Sequence, residues 1–87
     1  TMIYYQLSGF EWQDGPETYL PDIEGETFFF YVNFTKEQTE EKLKLIFIDL
    51  LKAVYAKEGF TCNSKRIHIH NIVKSKTPME EVKTNDE

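Results

Sequence analysis

His68 and His70 stand two residues apart, and Cys62 precedes them by six. On an extended strand that spacing puts both imidazoles on one face, where they could share a metal ion with the Cys62 thiolate as a third ligand. The same trio offers a general base beside a nucleophile. Neither arrangement is complete. A tetrahedral zinc site needs a fourth ligand that no second cluster supplies, and no residue at a recognisable spacing would orient the histidine. The simpler expectation is two histidines on the solvent side of a strand, with Cys62 acting as a small buried hydrophobe. No catalytic residue, metal or cofactor is assigned. A glycine-rich phosphate loop, a Ser-His-Asp order and an EF-hand pattern are all missing from the sequence.

Charge distribution is more informative. Residues 1–27 hold six carboxylates and no lysine or arginine, whereas all ten basic residues fall within 28–87, alongside nine acids. Glu11, Asp14, Glu17, Asp22, Glu24 and Glu26 are interleaved with Trp12, Tyr19 and Leu20, and spaced by Gly15, Pro16, Pro21 and Gly25. Carboxylates beside aromatic anchors suit a basic protein surface and repel a phosphate backbone. Glu11, Trp12, Asp14, Glu17, Tyr19, Asp22, Glu24 and Glu26 are therefore the expected partner-binding set. Trp12 and Tyr19 would fill pockets, and the acids would speed encounter.

A rival surface comes from strand patterning. Tyr4, Gln6, Phe29, Tyr31, Asn33, Arg66, His68 and His70 are expected on one side of a sheet, an arrangement able to stack bases. Two features argue against nucleic acid. The chain carries a net charge of −5, and it lacks the aromatic–glycine signature of the common sheet-based RNA module. The same residues would also serve a homodimer, because one helix covers only one face of a sheet.

These side chains must be positioned by few elements. Met2 to Trp12 is rich in strand formers, with Gly9 marking a bulge or bend that would swap the faces of Phe10 and Trp12. Residues 13–26 form a long acidic loop without period. Thr27 to Phe34 is the strongest strand pattern. Thr35 opens a capping box with Gln38, and Thr39 is a later alternative helix start. Leu43, Ile46, Phe47, Leu50, Leu51 and Val54 then recur with helical spacing up to Gly59, the expected C′ residue. Lys65 to Val73 is a third strand, with Ile67 and Ile69 inward and Ile72 breaking the alternation.

The expected fold is α+β: a small ββαβ domain whose three-stranded sheet packs one long amphipathic helix on one face. Strands two and three should run parallel, with strand order open. Residues 1–73 form the domain, and 74–87 are expected to be a flexible polar tail.

Eighty-seven residues with 40% hydrophobic and 15% aromatic content make one domain with a thin core. A single cysteine excludes an internal disulfide and favours a reducing, cytoplasmic setting. The opening residues do not read as a signal peptide, and the longest apolar run, Phe28 to Val32, is far below membrane-spanning length. The resulting expectation is a non-enzymatic binding module, an acidic inhibitor docking on a basic, nucleic-acid-handling protein. In general style it is similar to nuclease-immunity proteins and phage-encoded antagonists. The alternatives are a single-strand nucleic-acid binder and a structural homo-oligomer.

Overall fold

The computed structural model describes residues 1–11, 27–62 and 64–79. Elements follow in the order β1 (Ile3–Glu11), β2 (Phe28–Phe34), α1 (Glu40–Lys57), a short 3-10 turn (Ser64–Arg66) and β3 (Ile67–Ser75). The α+β class and the ββαβ order expected from the sequence are both present. The third strand runs on to Ser75, two residues beyond its expected end, and residues 80–87 lie outside the described set.

Sheet order is β2-β1-β3, with β1 antiparallel to both neighbours. β2 and β3 therefore point the same way, as the crossover argument requires, but β1 lies between them. Sequence alone left that insertion open.

One face of β1 (Tyr5, Leu7, Gly9, Glu11) meets the helix, and its other side chains face away. Gly9 does not swap these faces, because Glu11 stays on the helix side and is buried. The irregularity instead displaces β3: Ser8 pairs with Asn71 but Gly9 with Ile69, which leaves His70 as the extra residue of a bulge. Crossing the bulge changes the parity of β3. Ile67 and Ile69 face the helix before it and Ile72 after it, which explains the broken alternation.

α1 starts at Glu40, and Thr39 caps it by accepting a hydrogen bond from the Lys42 N–H at 3.1 Å. Thr35 is not the cap. The Gln38 backbone N–H donates to the Tyr5 hydroxyl at 2.9 Å, which ties the lead-in segment to β1 and delays the helix. At the other end Gly59 takes φ +84°, while the Gly59 and Phe60 N–H groups donate to Ala56 and Tyr55 at 3.0 Å, a Schellman closure. A side chain at Gly59 would be strained by this backbone even though no atom crowds it.

Leu43, Phe47, Leu51 and Tyr55 form the buried row of α1, packed on Tyr5 and Leu7 of β1. Ile46 and residues of both outer strands surround them partly exposed. The Phe47 ring meets Phe30 edge-on at 5.4 Å.

Candidate functional site

The helix-free face of the sheet assembles in register. Asn33, Tyr4 and Ser75 form one row; Tyr31, Gln6 and Val73 the next; then Phe29, Ser8 and Asn71; then Phe10 and His68. None of these residues carries a formal charge with histidine neutral. Phe29 is 47% and Val73 36% exposed on this face. Gln6 Nε2 donates to the Tyr31 hydroxyl at 3.0 Å, and Phe10 stacks on His68 at 5.3 Å. Ser8 is buried between them and donates to the Asn71 carbonyl. Beyond β3 the chain brings Pro78 and Met79 to a depression of about 210 Å³ lined also by Tyr4, Tyr31 and Asn33.

Of the residues expected on this face, Tyr4, Gln6, Phe29, Tyr31, Asn33 and His68 are brought together. Two are not. Arg66 sits in the 3-10 turn ahead of the strand, half-buried, and has no place in the sheet register. His70 is the bulge residue and lines a cleft on the helix side. The two histidines therefore do not share a face, which removes the geometry of a two-imidazole metal site. Among the described residues no group of three His, Cys, Asp or Glu side chains is placed to hold a metal ion. Phe10 and Val73 were missing from the expected set. The signal for Val73 was the broken alternation at Ile72, which marks the parity change after Ile69.

Glu11 does not stand at the surface as expected. It is fully buried and accepts a hydrogen bond from the Tyr55 hydroxyl at 3.1 Å, joining the end of β1 to the last turns of α1. Glu11 thus anchors the start of the acidic segment and displays no charge to a partner. Its expected companions Trp12, Asp14, Glu17, Tyr19, Asp22, Glu24 and Glu26 lie outside the described residues. Tyr55→Phe removes one donor from this buried carboxylate and should cost about 1–3 kcal/mol in chemical denaturation. No loss would show the bond to be dispensable.

Cys62 is half-buried, and its thiol is pushed up to about 11, first by burial and then by the Glu11 charge, against a smaller opposing effect of Lys52. A nucleophile needs the reverse. At mildly alkaline pH the thiolate fraction, and so the alkylation rate by iodoacetamide, should be roughly 100-fold below that of an ordinary thiol. Alkylation at the rate of free cysteine would contradict this placement.

An open cleft of about 520 Å³ runs between the start of α1 and β3, lined by Tyr5, Gln38, Leu43, Ile69, His70 and Ile72 among others. Lys74 Nζ bonds Glu37 Oε2 across its rim at 2.7 Å, with both side chains well exposed. The hydrogen bond and charge of Lys74 lower the Glu37 pKa, and the same contact raises that of Lys74. The carboxylate's contribution to stability is present above its unfolded pKa and fades as pH falls through its lowered folded value. The ammonium's contribution is present below its unfolded pKa and fades as pH rises through the raised one. Because the pair is exposed, its effect on stability is small and screened by salt. Lys74→Met should return the Glu37 titration, followed by NMR, to the ordinary glutamate range. An unchanged midpoint would show that the pair does not form in solution.

No family model, curated protein or solved structure matches this chain. Among the described residues no helix is long and apolar enough to cross a membrane.

Proposed function

We propose that this chain is a non-enzymatic protein-binding module that docks on a basic protein through its helix-free sheet face and the acidic segment tethered at one end of it. The observation carrying this reading is the uncharged aromatic and amide face of β2, β1 and β3, which lies opposite the one helix found among the described residues. Such a surface has the composition of an interface core, where charge is depleted and aromatics are enriched. The acidic connection supplies the charge. Residues 12–26 contain five carboxylates and no cation, and they join Glu11 to Thr27 at the end of the sheet where Gly9 pairs with Phe28. An inhibitor or antagonist of a nucleic-acid-handling protein fits this charge, because its target would carry a basic groove.

Nucleic acid itself is the weaker reading. Tyr4, Phe10, Phe29 and Tyr31 would stack bases, but among the described residues this face offers no lysine or arginine for the phosphates.

The experiment is a capture from source-cell lysate, followed by surface plasmon resonance on the captured protein at several salt concentrations. Glu17→Gln with Asp22→Asn should slow association several-fold at low salt. Tyr31→Ala should act mainly on dissociation. Unchanged kinetics in both variants would overturn the reading. Salt-sensitive binding to an oligo-dT strand that is strengthened by the acidic neutralisations would replace it with the nucleic-acid one.

A further inference from the structure

The two edges of the sheet are treated differently. β3 carries the usual protections of an exposed edge: a bulge at His70, Lys74 near its end with Lys76 just beyond it, and an Ile72 N–H already satisfied by Asn71 Oδ1 at 2.9 Å. β2 has none of them. Phe28–Phe34 contains no charge, proline or glycine, its register with β1 is unbroken, and no described strand lies along its outer side. Its helix-side residues Phe28, Phe30, Val32 and Phe34 are all only partly buried, so the core is unfinished on that flank.

We infer that the β2 edge pairs antiparallel with β2 of a second copy, about a two-fold axis near Tyr31, joining two three-stranded sheets into one. The strand is self-complementary in that register. Phe28 meets Phe34 and Phe30 meets Val32 on the helix side, while Phe29 meets Asn33 on the open side. Every helix-side pair is therefore apolar, and the half-buried phenylalanines finish one another's core. Charge decides for the antiparallel form. Each chain's acidic connection enters β2 at Phe28, and this pairing separates the two entry points by six strand positions, roughly 20 Å. That is about two and a half Debye lengths at physiological salt, so charges at the two entry points are screened from each other. A parallel pairing would bring the two entry points together. The inference does not depend on the proposed docking role, since the dimer forms without any partner.

The test uses sedimentation equilibrium on the full chain alone. The wild type should give twice the 10.3 kDa chain mass. Phe29 and Asn33 are both exposed, so substituting them leaves the core intact. Phe29→Lys with Asn33→Lys opposes lysines across the seam and should yield the single-chain mass. Phe29→Lys with Asn33→Glu opposes lysine to glutamate and should keep the dimer. In a Cys62→Ser background, Tyr31→Cys should give an oxidised covalent dimer and Phe29→Cys should not. A wild-type monomer, dissociation by both charged pairs or by neither, or equal cross-linking at the two cysteines would each overturn the pairing.

Discussion

Gly9→Ala should destabilise the fold by about 3 kcal/mol, at the upper end of the usual overpacking range, and lower the melting temperature by on the order of 12–24 °C. A Cβ at Gly9 would overlap the His68 carbonyl oxygen and lie 2.9 Å from Cε2 and Cζ of Phe47. The ring can turn away from such an intrusion. The carbonyl cannot, because it belongs to the backbone of β3 beside the bulge. The clash therefore falls on the β1–β3 seam, and the Phe10–His68 stack on the open face should loosen with it. Thermal and urea unfolding measure the first effect, and the amide shifts of residues 67–72 measure the second. Adding Phe47→Leu should not restore stability, since the backbone contact remains. A loss under about 1 kcal/mol would mean that the seam yields more readily than a packed strand pair does.

Phe47→Ala should cost about 3–5 kcal/mol. Phe47 is wholly buried at the middle of the helix row, and it spans from Phe30 of β2 across Gly9 of β1. A domain of 87 residues is stabilised by roughly 4–13 kcal/mol in total, so this one truncation consumes a large share. Substituting Leu45, which is 58% exposed on the same helix, with alanine should change stability by about 0.5 kcal/mol or less. Equal losses at the two positions in urea titrations would refute the packing described here.

The two positions illustrate one another. Phe47 lies close over β1 because Gly9 leaves room for it, and the core closes around that approach.

How much of this could be read along the chain varied from element to element. α1 and its Gly59 stop were legible because helical spacing and a left-handed glycine are local properties. So was β2, whose short run of aromatic and β-branched residues favours a strand. The true N-cap was less legible. Thr35 and Thr39 both fit a cap, and the choice fell to the Tyr5 hydroxyl, thirty-three residues away in sequence from the Gln38 N–H it accepts.

The open face followed the same division. Tyr4, Gln6, Phe29, Tyr31 and Asn33 could be placed because β1 and β2 keep an unbroken alternation. His70 and Val73 were misplaced or missed, because the bulge arises where β3 must pass Gly9 and it inverts every position beyond it. Burial of Glu11 was equally hidden. A carboxylate in an acidic stretch reads as solvated, and the hydrogen bond that Tyr55 brings to it from the far end of α1 forms only on folding. Composition and periodicity thus established the class of fold, the helix and the uneven distribution of charge, since these depend on neighbours along the chain. Strand order, the bulge and the side on which each late residue falls depend on groups that meet only after folding.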